Sequence, residues 1–551
     1  MKLNKFFLIG ATVLGMSITS CVGDLDLQPI DPNQTFASDS EEFMQSAFAE
    51  CYSALISGPT GAGSSIVSGG DAGFSSYVRA LFNMNVFGTD ETFWIWWNDL
   101  GVPDMVQNTY SADNTLIYNG YSALFVHIAI CNQFISQVPD DASQELLQMR
   151  DEARTLRALS YYWALDMFGN TTFTLDAPDG VTKPQQTTRA ELYNWLEGEL
   201  SDIVANGRLA QTPPYGRVGI DGAEALLARL YLNAGVYVGT PQWDKCAQHC
   251  NNIIARHQGT GFNGSGLVPN YLAVFCRDNH KYCPGGGDVN EILWTVPGDS
   301  EHMQTYGGAF FLLASELSNN YGMDPAYYGS GAQWGCLKAR GQLTERFLAE
   351  ANPAADDRFN NWIGGEVSYE SDGETKTVTY SVHNTQAGDW LAGFTVIKWT
   401  NLGLLPNGTV DMGNTLGLDC PSFSSVDFAM FRLSDVYLMY AECALNGASS
   451  ANAATAKGYV QTIRQRSGVT ENFDLTMDFL QDERSREMYW ELTRRTDLIR
   501  WGKWTGANQA MWDWKGGAPN GTPISDRYNL MPIPTNVIAT DPTGYVQNPG
   551  Y

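Results

Sequence analysis

The chain has 551 residues and 60 Asp plus Glu against 33 Lys plus Arg, a net charge of -27. That balance excludes a nucleic-acid binder, which needs a basic face, and 44% hydrophobic residues exclude a disordered acidic tail. The 12% aromatic content exceeds what the low charge content would suggest, and raises the question of whether some rings serve outside the core.

Residues 1–20 read as a signal peptide: Lys2 and Lys5, then an apolar run from Phe6 to about Ile18, too short to span a bilayer. Ile18-Thr19-Ser20-Cys21 resembles a bacterial lipobox, which makes Cys21 the expected lipidation site and places the mature protein at a membrane surface. Residues 21–40 follow as an acidic, Pro-containing tether.

Helical patterns come next. Leu156, Leu159, Trp163 and Met167 recur at spacings of three and four from Glu152 to Phe168, and Gly169 stops the run. Ala223–Asn233, Phe431–Leu445 and a charged stretch from Gln481 to Trp501 read as further helices. They suggest paired helices without a fixed repeat. Residues 258–425 are rich in turn signals such as Pro284-Gly285-Gly286-Gly287 and Tyr327-Tyr328-Gly329, with a short alternating strand at Thr375–Val382. The tail from Pro532 is expected to run extended. The domain reading is one domain over 41–551: a helical scaffold from 41–257 and 426–510, with the loop-rich part mainly in 258–425.

Beyond Cys21 there are nine cysteines, an odd count. Cys51, Cys131 and Cys443 sit in apolar helical patterns and read as buried thiols; a Cys276–Cys283 disulfide is compatible with an oxidising compartment. Cys246-Ala-Gln-His249-Cys250 lacks the second paired cluster of a zinc site, and Asp288 and Asp299 lack clustered oxygen ligands, so no metal and no cofactor is expected. No Gly-x-Ser-x-Gly, His-Glu-x-x-His or phosphate-loop motif occurs, and the six His are scattered and read mostly as surface residues. These features point to a binding protein rather than an enzyme.

The motifs then take on a family character. Ala153-Arg154 through Phe168-Gly169-Asn170, Arg432 through Glu442, Ile463-Arg464-Gln-Arg466, Arg494 through Arg500 and Met531-Pro532-Ile533-Pro534 through Tyr551 fall in order along the chain. The chain resembles the SusD family, and Tyr306-Gly307-Gly308, Ile397-Lys398-Trp399 and Trp512-Asp513-Trp514 bring it nearest to the starch-binding members. The resemblance implies a mainly α fold, with four tetratricopeptide-like helix pairs packed against an irregular loop-rich region with a few short strands. It implies a lipid-anchored protein on the outer-membrane surface that binds starch or malto-oligosaccharide and delivers it to a SusC-like TonB-dependent transporter. Alternatives are another glycan, a peptide or, least favoured, glycoside hydrolysis.

Sugars offer C–H patches to aromatic faces and hydroxyls to planar polar groups. In Phe93-Trp94-Ile95-Trp96-Trp97-Asn98-Asp99, Trp94 and Trp96 share one face of an extended chain and are both expected to contact the ligand, while Trp97 turns toward the core. The resemblance implies an aromatic arc of Trp96, Tyr306 and Trp334 with Asp71 and Arg79 as polar partners. A further polar position, an amide in the family's starch binders, falls on Asp99 or, one residue shifted, on Asn98. An ionised carboxylate there only accepts hydrogen bonds.

Overall fold

Asn114, Ser143 and Thr188 each stand where an apolar-periodic run begins, and each caps a helix. Asn114 Oδ1 accepts from the N–H groups of Leu116 and Ile117 at 3.0 and 3.3 Å. Ser143 Oγ accepts from Leu146 N–H, and Thr188 forms a reciprocal capping box with Glu191. Gly169 ends the second of these helices in a left-handed turn (φ 67°). The computed structural model describes residues 41–56, 74–178, 182–418 and 422–551.

The chain divides into two units. Of residues 1–49, the described part is the first half of helix α1 (Glu41–Ile56). Residues 50–551 hold the rest. Helices there include α2 (Tyr77–Asn85), α3 (Thr115–Gln137), α4 (Gln144–Phe168), α5 (Arg189–Asn206), α6 (Ile220–Leu232), α7 (Trp243–His257), α8 (Phe310–Glu316), α9 (Leu433–Leu445), α10 (Ala453–Arg466), α11 (Met477–Met488), α12 (Arg494–Arg500) and α13 (Thr535–Thr540). From α2 to α7 each of these helices packs on the next; α7 then packs on α9, and α9 on both α10 and α11. The loop-rich segment 258–425 is thus inserted between two helices, α7 and α9, that are in contact. Among the described residues no helix is long and apolar enough to cross a membrane.

Strands are short and paired in twos. β1 (Thr92–Trp94) pairs antiparallel with β5 (Leu337–Ala339), β2 (Thr171–Phe173) with β3 (Gln185–Thr187), and β4 (Ile292–Val296) with β8 (Phe428–Arg432). β6 (Gly365–Ser371) and β7 (Glu374–Tyr380) form a hairpin in which Ser371 faces Glu374. Its two-residue loop is Asp372-Gly373, both in the left-handed region (φ 57° and 78°), the turn that an Asp-Gly pair favours.

Three sequence expectations need correction. The stretch Gln481–Trp501 is not one helix. It breaks after Met488, with Trp490 and Leu492 at φ 65° and 68°. The break is tertiary in origin: Trp490 donates through its backbone N–H to Glu91 Oε2 and through its indole to Glu91 O, both at 3.1 Å, while Glu491 turns inward to Lys398 and Arg432. The tail is also not wholly extended, since α13 interrupts it, and Asn548 Nδ2 ties its end to Phe168 O and Met531 O. Only His280 and His302 of the six His are exposed. His127, wholly buried, bridges Ser160 Oγ and Cys51 O, and burial pushes its imidazole down to about 4.

Glu483, Arg484, Arg486 and Glu487 of α11 lie inside. Arg432 Nε reaches Glu491 at 2.6 Å and its NH1 reaches Glu487 at 2.6 Å and Glu291 at 3.2 Å. Arg358 clamps Asp356 with two nitrogens and meets Glu483 at 2.7 Å. Arg464 joins Glu483 to Glu350, and Arg466 joins Glu291 to Glu487. Burial alone would raise the Glu483 carboxyl, but Arg358, Arg486 and Arg464 outweigh it and hold it down at about 2. The eight cysteines among the described residues are buried free thiols. The Cys276–Cys283 disulfide is therefore absent: Cys276 donates to Ala273 O and Cys283 to Asp427 Oδ2. His249 is turned onto Glu224 at 2.9 Å and stacks on Tyr231.

Candidate functional site

The β1–β5 ladder carries two of the expected ring residues. Trp94 faces Leu337, and the ladder continues one step further, where Ile95 N–H donates to Cys336 O at 2.8 Å. Trp96 and Trp334 therefore leave the two strands at the same end. Trp334 is fixed from behind: its N–H donates to Ala314 O, in α8, at 2.8 Å. The next residue, Gly335, adopts φ 55°, and a Cβ there would stand 2.5 Å from the Ser318 Cβ. Only glycine lets the chain cross the end of α8 this closely.

Arg79, in the first turn of the fully buried α2, ties the pieces together. Its guanidinium carbon lies 3.9 Å from the Phe74 ring centre, 5.5 Å from Trp334, and 5.7 Å from both Trp94 and Phe311. Trp94 meets Trp96 edge to face at 6.0 Å, and Trp334 meets Phe310 edge to face at 5.6 Å. Phe310 in turn lies 4.9 Å from Tyr306, which Phe423 flanks on another side at 5.2 Å. One uninterrupted path of contacts thus runs Trp96, Trp94, Arg79, Trp334, Phe310, Tyr306. The three residues of the expected arc, Trp96, Tyr306 and Trp334, are all half-buried, so each keeps part of its ring in water.

Other expected residues fall differently. Trp94 is 1% exposed, packed between Phe74, Phe87 and Trp96. It has no face left for a ligand and is corrected from a contact residue to a supporting one. Trp97 lies against Phe93 and Trp514, on the opposite side from Trp96, as the alternation of an extended strand requires. Asp99 Oδ2 accepts from Trp94 Nε1 at 2.9 Å, so this carboxylate serves the turn itself, while Asn98 is exposed. Asp71 lies outside the described residues, as does Cys21.

Sequence reasoning missed the supporting shell of Phe74, Phe310, Phe311 and Phe423. Phe310-Phe311 could have been found from its place just after Tyr306-Gly-Gly-Ala, because the glycines there must be followed by something that holds the turn down. Phe423 carries no local signal; its role comes from a contact across more than a hundred residues.

Known proteins share this architecture. The description "SusD family" fits residues 285–551. Starch-binding protein SusD of Bacteroides thetaiotaomicron is 29% identical, over 98% of this chain and 97% of its own. Residues 285–551 thus match the SusD family, and the chain as a whole is similar to a starch-binding protein of that name. SusD-like protein P25 of Formosa agariphila is 25% identical over 73% of each chain. In fold, this chain matches surface glycan-binding protein A of Bacteroides thetaiotaomicron, solved with laminarihexaose, at a TM-score of 0.66 and 17% identity over 92% of this chain and 99% of that one. The mainly helical SusD-like fold expected from the sequence is therefore present. These similarities support a SusD-like, non-catalytic glycan-binding protein.

Proposed function

We propose that the protein captures starch or malto-oligosaccharide at the cell surface on Trp96, Tyr306 and Trp334. The observation that carries this is the continuous path through Arg79 that joins three half-exposed rings. Rings on separate, rigidly braced supports suit a ligand with C–H patches spaced along a chain. Arg79 and Asn98 are the polar partners nearest the rings, with Asp71 a third by position in sequence. Stacking and a few hydrogen bonds, offset by desolvation, give modest affinity, which suits a protein that passes its ligand on. Support for an α-glucan comes from the similarity to a starch-binding protein along nearly the whole chain.

In this reading residues 1–20 are a signal peptide, Cys21 carries lipid, residues 21–40 are a tether, and 41–551 form the glycan-binding domain. The partner is a SusC-like TonB-dependent transporter in the outer membrane. A second reading, a β-glucan, is favoured by one observation: the fold neighbour solved with laminarihexaose.

Affinity electrophoresis in amylopectin and in laminarin separates the two. Retardation of the wild type in amylopectin, lost in Trp96→Ala and Trp334→Ala, is the expected result. Retardation only in laminarin would replace the glycan; equal retardation of the variants would overturn the site.

A further inference from the structure

A second cluster of rings lies in the loop-rich region. Tyr321, Tyr327, Tyr328 and Tyr369 line an open cleft of about 330 Å³, together with Met323 and Val367. Tyr327 is 48% exposed, an unusual state for so large a ring, and Tyr321, Tyr328 and Tyr369 are half-buried. The rings are set at steep angles: Tyr321 and Tyr369 at 77° with centres 6.2 Å apart, Tyr327 and Tyr328 at 78° and 5.0 Å. They therefore present both faces and edges.

The cleft is held at a cost to the backbone. Tyr321 stands at φ 55°, a conformation that a bulky aromatic residue seldom adopts, and Gly322 follows at φ 75°. A Cβ on Gly322 would lie 2.2 Å from the Tyr369 Cβ, so the β6–β7 hairpin is pressed directly onto this turn. Tyr321 is braced from a further side by the buried Tyr380 at the end of β7.

We propose that this tyrosine cleft is a second glycan-contact site, which takes a remote stretch of the same neutral chain that the Trp96 arc holds. This rests on the reading that the protein binds a long glycan. Among the described residues no Lys or Arg lines the cleft, and Asp324 is the one carboxylate that does, occupied in part by capping Ala326 N–H. Tyrosine faces and hydroxyls without a cation match a polyhydroxylated neutral ligand better than an anionic one. The cleft is also near the arc along the chain. Trp334 stands six positions after Tyr328, a span of no more than about 22 Å even when fully extended. A second contact on one ligand raises apparent affinity through effective concentration, and only for ligands long enough to reach.

The experiment measures binding by wild type, Tyr327→Ala and Tyr369→Ala to a series from maltotriose through maltoheptaose to amylopectin. Both side chains keep their backbone environment when truncated, and melting temperature checks that the fold is intact. The expected result is unchanged affinity for the shortest ligands and a loss of about three- to tenfold for amylopectin, the size of one or two lost ring contacts. Superimposed curves at all lengths overturn the second site, as does an equal loss at all lengths, which would merge the cleft with the arc. A wild type that binds none of the series overturns the proposed function itself, a result distinct from either.

Discussion

The indole Nε1 of Trp94 donates to Oδ2 of Asp99 across 2.9 Å, closing a turn with Trp96 on it. A buried ring and a half-exposed carboxylate thereby fix the position of a third residue that neither resembles. Asp99→Ala leaves the indole without its partner and loosens the turn. The expected effect is a loss of glucan affinity of about three- to tenfold with a small change in melting temperature. Asp99→Asn keeps an acceptor oxygen and is expected to stay near wild type. If Asn lost as much as Ala, the carboxylate charge would matter for itself and the positioning role would fall.

Gly335 offers a second test of support from behind. Alanine there combines a left-handed φ with a collision at Ser318. A cost of about 1–3 kcal/mol in unfolding free energy is expected, together with displacement of Trp334 and weaker glucan binding. Chemical denaturation and titration of the same variant read the two effects; full affinity in Gly335→Ala would show that Trp334 does not depend on this crossing.

The buried ion pairs predict an acid limit. Glu483 is held at about 2, and Glu487, Asp90 and Asp435 are also held below the ordinary carboxylate range, each by arginines that overcome the opposing effect of burial. A carboxyl whose folded pKa is depressed contributes stability that is complete above its unfolded value, about 4, and is lost as pH falls toward the folded value. Stability on this account is flat with respect to these groups above about pH 5 and drops steeply between about 4 and 2. Urea midpoints across that range check it; a midpoint that held constant to pH 2 would contradict it.

Arg432 has Glu291, Glu487 and Glu491 around it. Arg432→Met removes one cationic partner from each of three buried carboxylates and should cost about 3–5 kcal/mol. A loss under 1 kcal/mol would mean that the acids find other partners or protons at little expense.

The sequence announced much of this molecule, and its failures have physical causes. α4, α6 and α9 were legible because each has a buried stripe at helical spacing and a clear stop. Gln481–Trp501 misled because helical propensity continues through it, while Glu91, Lys398 and Arg432, all distant in sequence, pull Trp490 and Glu491 out of the helix. The hairpin was half seen: the alternation of β7 was read, whereas the Asp372-Gly373 turn that announces its partner β6 was not. At the site, the rings were found through motif and alternation, but Trp94 and Trp96 look alike in sequence. Only the packing of Phe74 and Phe87 on one of them decides which stays dry.

The inward placement of so many arginines also shapes encounters at a distance. Arg340, Arg358, Arg432, Arg464, Arg466 and Arg484 are each at most 3% exposed, so they add little positive field outside an already acidic shell. Sulfated or uronate-bearing polymers approaching such a shell are slowed within about 8 Å at physiological salt, whereas uncharged ones arrive unhindered. Sorting by charge thus begins before any ring is touched.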